Sequence, residues 1–347
     1  MSYELLKQKL LREPKTWLVS GAAGFIGSNL LEALLRLDQK VIGLDSFVSG
    51  SRENLDEVRA QVHPTQWANL RLVEGDIRDL NVCQETAKGT QYILHQAAMC
   101  SVPGSIEDPL GANDINVTGT LNMMLAAREA GVQAFVYASS SAVYGDSQGM
   151  PKREIQVGAP LSPYGATKFV DELYAQVFAR CYSLKTVGLR YFNVFGPRQD
   201  PNGAYAAVIP KWITALIQDE APIIYGDGET TRDFCYIDNV VQANLLAATA
   251  GDFVGPASVY NIALNQSTSL NQLFKAIQDL LIPEYPHVKM ARPIYKPFRA
   301  GDILHSEADI SLAEKFLGYK PEIGVEAGLR LAIDWYARKI PVPRGKL

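Results

Sequence analysis

Residues 16–27 read Thr16-Trp17-Leu18-Val19-Ser20-Gly21-Ala22-Ala23-Gly24-Phe25-Ile26-Gly27. A short run suited to a buried strand leads directly into GxxGxxG, and helical periodicity follows over 26–37. Glycine spacing alone is a weak signal, but between a strand and a helix each glycine has a physical task. Together they permit the tight turn, close approach of backbone to a diphosphate, and close packing of helix on strand. The helix N-terminus then offers unpaired N–H donors to the anion. Gly21, Gly24, Phe25, Ile26 and Gly27 are therefore expected to hold a dinucleotide. The next apolar run, 41–45, ends in Asp45, where a carboxylate can accept from both hydroxyls of a ribose and would repel a 2′-phosphate. That position favours NAD over NADP. Arg52, a few residues later, is the nearby group that could instead reach a phosphate. Asp76 and Ile77, just past the third run, stand where an adenine contact would lie.

The same rhythm continues outward. Apolar runs at 70–74, 92–95, 134–138 and 186–190 alternate with helical stretches at 119–130 and 168–182. Strands alternating with helices argue for βαβ units and a parallel sheet covered on both faces. After Asn193 the chain becomes more irregular and richer in Gly and Pro, with one helical stretch, 240–250, able to return to the sheet. The expected class is α/β: a Rossmann-type doubly wound parallel sheet with a smaller mixed α/β substrate-binding domain. The boundaries expected are 1–193 for the NAD-binding domain, with 234–258 returning to it, and 194–233 plus 259–347 for the second domain.

Bulk properties exclude several classes. A chain of 347 residues with 47% hydrophobic and 20% charged side chains suits a globular protein with a large core. A net charge of −4 and a pI near 5.7 give no basic surface for nucleic acid or anionic lipid. The four cysteines and four histidines are scattered, without metal-ligand or disulfide-framework spacing, so no metal is expected. Residues 1–13 are charged and amphipathic, with Leu5, Leu6 and Leu10 on one helical stripe and Leu11 beside it. They lack the apolar core of a secretory signal, and Glu4 and Glu13 argue against a mitochondrial presequence. With no long apolar stretch in the chain, the expected location is cytoplasmic.

Ser162-Pro163-Tyr164-Gly165-Ala166-Thr167-Lys168 places a phenol and an ammonium four residues apart at a helix start. Positions i and i+4 share a helix face. A cation beside a phenol favours the phenolate, which is one way to make a proton-transfer group effective near neutral pH.

These motifs, with His95-Gln96-Ala97-Ala98 and Ser139-Ser140-Ser141-Ala142-Val143-Tyr144-Gly145, together resemble the extended short-chain dehydrogenase/reductases. Within them the chain looks most like the nucleotide-sugar 4-epimerases, in particular the bacterial UDP-N-acetylhexosamine group. Arg190-Tyr191-Phe192-Asn193-Val194-Phe195-Gly196, Gln199-Asp200-Pro201-Asn202-Gly203-Ala204-Tyr205 and Gly226-Asp227-Gly228-Glu229-Thr230-Thr231-Arg232-Asp233-Phe234 carry that likeness. The resemblance implies Tyr164 as proton-transfer group, Lys168 holding the nicotinamide ribose and lowering the Tyr164 pKa, and Ser140 and Ser141 as partners of the sugar 4-oxygen. It adds Gln96 and Thr118 to the NAD contacts. Epimerases, 4,6-dehydratases and decarboxylases share this machinery. Dehydratases of the family typically carry an Asp-Glu pair directly after the catalytic Ser or Thr, where this chain has Ser141 and Ala142. Decarboxylases usually carry Glu at the second position. The reaction implied is 4-epimerisation through a 4-keto sugar, serving surface polysaccharide precursors.

For the substrate, the resemblance implies Ser101, Asn193, Val208, Tyr225, Arg232, Arg299 and Asp302 as contacts of a UDP-sugar. Ser306 resembles a gate over the carbon 2 substituent, where a small side chain admits an acetamido group. Cys100, Gly104 and Ala142 depart from the N-acetyl-specific pattern and leave a C6-oxidised uronic acid substrate open. The stretches 119–130 and 168–182 resemble the helices that form a four-helix bundle between subunits, which implies a homodimer.

Overall fold

Strand β1 (Thr16–Ser20) sends Trp17 and Val19 into one core cluster and Leu18 into another, and all three are fully buried. A strand apolar on both faces belongs inside a parallel sheet with helices on either side. The computed structural model describes residues 2–201, 207–251, 257–298 and 304–340. In it β1 is joined by β2 (Lys40–Asp45), β3 (Leu70–Glu74), β4 (Tyr92–His95), β5 (Ala134–Ser140), β6 (Thr186–Tyr191) and β7 (Ala257–Ile262). They form one seven-stranded parallel sheet in the order β7-β6-β5-β4-β1-β2-β3. The order reverses between β1 and β4. In open α/β sheets the crevice beyond the carboxyl ends at such a switch point is where ligands bind.

The expected strands all form. β7 is an addition: it pairs with β6 from Ala257↔Thr186 to Ile262↔Tyr191, past the expected return at 234–258. Its sequence hides it, because Asn261 interrupts the apolar run. That amide is buried and satisfied by the Tyr144 hydroxyl, which donates to it at 2.6 Å, and by the carbonyls of Lys152 and Asp309.

Helix α1 (Tyr3–Arg12) packs through Leu6 and Leu10, while Leu5 and Leu11 are exposed, so the expected stripe is narrower than it reads. The buried Gln39 amide fastens α1 to the sheet, donating to the Leu10 carbonyl at 2.9 Å and accepting from the Trp17 indole at 3.1 Å. Helix α2 (Phe25–Arg36) follows the glycine turn, α3 (Gly119–Ala130) crosses between β4 and β5, and α4 (Pro163–Tyr182) leads into β6. Helix α5 (Ile237–Thr249), buried along most of its length, covers the face opposite α3 and α4.

Around the carboxyl edge, Ile223–Tyr225 pairs with Ile294–Lys296, Thr231–Arg232 with Thr268–Ser269, and Val194–Phe195 with Cys235–Tyr236. Among the described residues no helix is long and apolar enough to cross a membrane.

Candidate active site

The glycine turn shows why each glycine is needed. Gly21 has φ of +70°, and a Cβ there would come within 2.8 Å of the Ala97 backbone. A Cβ on Gly27 would sit 1.9 Å from the Gly21 carbonyl oxygen, so any larger residue would push α2 off the turn. Gly24 caps α2 without a side-chain hydrogen bond, and the first turn, with Phe25, Ile26 and Gly27, carries no acidic residue. The first N–H groups of a helix have no partner within it and carry partial positive charge, which suits an anion such as a diphosphate.

Asp45 is buried at the end of β2. Its Oδ2 accepts from the Ala23 N–H and its Oδ1 from the Phe47 N–H, each at 2.8 Å. A Cβ on Gly50 would approach Oδ1 to 2.6 Å. The carboxylate thus stitches the glycine turn to the loop after β2, and each oxygen keeps a lone pair for a ribose hydroxyl. Arg52 is taken up elsewhere: it lies over the Phe47 ring and pairs with Glu74 at 2.6 Å. The turn, the bare helix end and Asp45 therefore fit NAD, and Arg52 is engaged by Phe47 and Glu74.

Other expected cofactor residues divide. Ile77 is buried under Gly119, where a Cβ would meet its Cδ1 at 2.5 Å. The Asp76 carboxyl is held below the usual carboxylate range by hydrogen bonds from Arg78, the nearer at 2.7 Å, and that pair is partly exposed. Gln96, beyond β4, donates to the Asn244 side chain at 3.1 Å and accepts from the Tyr191 hydroxyl at 3.2 Å. Thr118 is exposed at the end of a π-helical turn, Asp114–Thr118. Asn116 in that same turn is buried and was not legible in advance. It accepts from the Met99 N–H at 2.8 Å and donates to Thr167 Oγ1 at 2.9 Å, tying the loop after β4 to α4.

Helix α4 begins at Pro163, earlier than the periodicity over 168–182 indicates. Ser162 caps it, its Oγ accepting from the Gly165 N–H at 3.1 Å, and Pro163 sits where no N–H is required. This start puts Tyr164 and Lys168 one turn apart in a single helix. The first turn lies close against the turn after β5, since a Cβ on Gly165 would meet the Ala142 carbonyl at 2.8 Å. Tyr164 is thereby brought toward the strand end that carries Ser140. Ser105, also unforeseen, accepts from the Tyr164 N–H at 3.0 Å. Ser141 opens the 3-10 turn Ser141–Tyr144 and is half-buried.

Burial pushes the Tyr164 phenol well above its ordinary range, with Cys100, Asp171 and Tyr191 adding to the rise and Ser140 opposing it. The Lys168 Nζ is paired with Asp171 Oδ2 at 3.3 Å in a buried site. The side of Lys168 toward β4 is neutral. His95 is fully enclosed, its pKa pushed down to about 3 by burial and then by Lys168, and its ring bridges Ser20 Oγ at 2.6 Å and Thr120 Oγ1 at 3.0 Å.

The expected sugar contacts are spread over the carboxyl edge. The Ser101 hydroxyl caps a short helix, accepting from the Gly104 N–H at 2.9 Å. Asn193 donates to the Asp233 carbonyl at 3.1 Å. Asp233 itself is buried, and its carboxylate accepts the N–H groups of Leu264, Gln266 and Ala308, fastening three segments around the site. Val208 starts the helix Val208–Ile217, and Tyr225 ends its strand half-buried. Arg232 donates to the Thr231 carbonyl at 2.8 Å. Ser306 is 9% exposed and its N–H donates to the Thr231 carbonyl at 3.2 Å, so its backbone adjoins that of Arg232. Arg299 and Asp302 lie outside the described residues.

A glycine-rich strand–helix turn, an acidic end to β2 and a Tyr-Lys helix beside a strand-end serine define an NAD-binding oxidoreductase-type site. The family model described as NAD dependent epimerase/dehydratase matches residues 17–263, and the chain belongs to that family. A curated relative from Methanocaldococcus jannaschii, described as a putative UDP-glucose 4-epimerase, is 36% identical over 92% of this chain and 97% of its own length. The solved UDP-N-acetylglucosamine 4-epimerase of Methanobrevibacter ruminantium, in complex with UDP-N-acetylmuramic acid, is 39% identical, with a TM-score of 0.85 over 94% of this chain and 99% of that one. A UDP-glucuronic acid 4-epimerase from Bacillus cereus, solved with a fluorinated substrate analogue and NAD, is 27% identical, with a TM-score of 0.82 over 93% and 99% of the two chains.

Proposed function

We propose that this NAD-dependent UDP-sugar 4-epimerase interconverts UDP-N-acetylglucosamine and UDP-N-acetylgalactosamine type sugars, with Tyr164 as its acid–base group. The observation that carries the reading is Tyr164 and Lys168 one turn apart on α4, whose first turn packs against the turn after β5 that follows Ser140. The glycine turn and Asp45 would hold NAD, which when bound would supply the hydride acceptor and donor for sugar carbon 4. Tyr164 takes the 4-hydroxyl proton along the Ser140 hydroxyl and gives it back to the opposite epimer. To take that proton Tyr164 acts as the phenolate, and protonated it becomes the phenol that returns the proton. Ser141 and Ala142 supply no acid or base for eliminating the carbon 6 hydroxyl, which supports epimerisation over dehydration. Ser306, small and fastened to the Thr231 backbone, supports an acetamido group at carbon 2. The enzyme is read as a homodimer through α3 and α4, and on α4 the outward residues Leu173, Val177 and Tyr182 are exposed.

Incubation with UDP-sugars followed by chromatographic resolution of the epimers tests the reaction. Tyr164→Phe should lose about 10²-fold or more in turnover, and near-normal activity would end the mechanism. Ser306→Tyr should lower kcat/KM for the N-acetylated sugar at least about tenfold relative to the plain hexose. Equal losses on both would remove the gate.

A further inference from the structure

We propose that Asp233 is a positioning residue for substrate choice: its carboxylate sets the height of the segment that carries Ser306 over the sugar. The proposal rests on the reading of Ser306 as the gate at carbon 2. Residues 231–233 form a strap that meets this segment twice. The Thr231 carbonyl accepts the Ser306 N–H at 3.2 Å. Two residues on, Asp233 Oδ2 accepts the Ala308 N–H at 3.3 Å. The tripeptide 306–308 is therefore tied to the strap at both ends, once by main chain and once by the carboxylate. Arg232 stands between the two ties. The Asp233 carbonyl also accepts from the Asn193 side chain at 3.1 Å, so one residue orients both the gate segment and that amide.

The carboxylate is itself held rigidly. Its Oδ1 accepts from the Leu264 N–H at 2.9 Å and its Oδ2 from the Gln266 N–H at 3.2 Å, which anchors it to the chain just past β7. Asp233 and Ala308 are both fully buried, so no water stands ready to replace the bond between them. Hydrogen bonds to a charged acceptor are roughly twice as strong as neutral ones. A buried N–H that loses its acceptor carries the full cost of its desolvation. On its other side the segment meets the loop after β5, where the Lys152 N–H donates to the Glu307 carbonyl at 2.8 Å and the Asp309 N–H to the Lys152 carbonyl at 2.9 Å. Those main-chain ties survive any change of side chain. The tie through Asp233 is the one a substitution releases, and its release lets 306–308 shift against 231–233. A wall free to shift over carbon 2 discriminates less between an acetamido group and a hydroxyl.

Two measurements test this. Hydrogen exchange read by mass spectrometry on peptides covering 304–309 needs no turnover. In Asp233→Ser, too short to reach Ala308, that segment should exchange at least about tenfold faster than in the wild type, with β1 peptides unchanged. Equal exchange, or fast exchange in the wild type itself, overturns the tie. In kinetics, the ratio of kcat/KM for UDP-N-acetylglucosamine over UDP-glucose should fall about tenfold, mainly through KM. Asp233→Asn, which keeps one acceptor oxygen, should recover part of that ratio. Equal losses on both sugars, or an unchanged ratio, overturn the positioning role. Asp233→Asn is read in both assays, with the same signs, if the serine variant does not fold. Should Ser306→Tyr leave the ratio unmoved, the gate reading falls while the exchange result still judges the tie.

Discussion

At the scale of single residues, this site is governed by what burial does to titratable groups. His95 is enclosed between Ser20 and Thr120, with a pKa of about 3 against about 6.5 in the unfolded chain. A depressed folded pKa contributes stability that is present above the unfolded value and lost as pH falls through the folded one. The stability of the NAD-free protein should therefore drop between pH 6.5 and 3, with His95 supplying up to about 1.4 kcal/mol per pH unit. Denaturant unfolding at several pH values, with His95→Gln as comparison, should show a shallower fall in the variant. Parallel curves would mean that His95 does not carry this charge penalty. Spacing puts Tyr164 and Lys168 on one helix face, since period decides which side chains share it, while the roles expected of them come from the family resemblance. Asp171 and Asn116 are not, because an Asp or Asn in a helical stretch reads as solvent-facing until the packing encloses it.

At the scale of elements, α4 has to be held at a fixed height above the sheet for Tyr164 to meet Ser140. The buried pair Glu172–Arg190 does this from inside, with Arg190 donating to both carboxylate oxygens at 2.9 and 2.7 Å. Arg190 also donates to the Glu154 carbonyl at 2.9 Å and lies 4.8 Å from the Tyr144 ring centroid. Removing one partner leaves a buried charge unanswered, at about 3–5 kcal/mol. Glu172→Ala should lower unfolding free energy by that order in denaturant titration. A loss below about 1 kcal/mol, the value of an exposed pair, would show that water reaches Arg190. Periodicity located α4 but not its start, because the capping geometry of Ser162 and Pro163 decides where the first turn closes.

At the scale of the molecule, the strand order brings the ends of β1, β4, β5 and β6 to one edge, so residues more than a hundred positions apart share a crevice. The outward side of α4 is the part that the chain does not cover. Leu173, Tyr174, Val177 and Tyr182 are 46%, 36%, 49% and 48% exposed, while Met124 and Phe178 are buried and Leu121 and Leu125 are half-buried. The apolar residues read from these helices thus split between core and surface. An exposed apolar face on a helix marks an association surface. Sedimentation should find a dimer at micromolar protein, and Leu173→Glu with Val177→Glu should give a folded monomer. A wild-type monomer would leave that face without the partner proposed.

The sequence by itself determined the alternating α/β plan, the dinucleotide turn, Asp45 and the Tyr-Lys pair. These depend on local period and on glycine's conformational range, which act within a few residues. Only the tertiary structure decided that β7 closes the sheet, that Asn116 and Ser105 anchor the loop and helix around Tyr164, and that Lys168 is claimed by Asp171. Those outcomes depend on desolvation and on partners distant in the chain. The energy of a buried charge is set by what surrounds it, and no local pattern of residues records that.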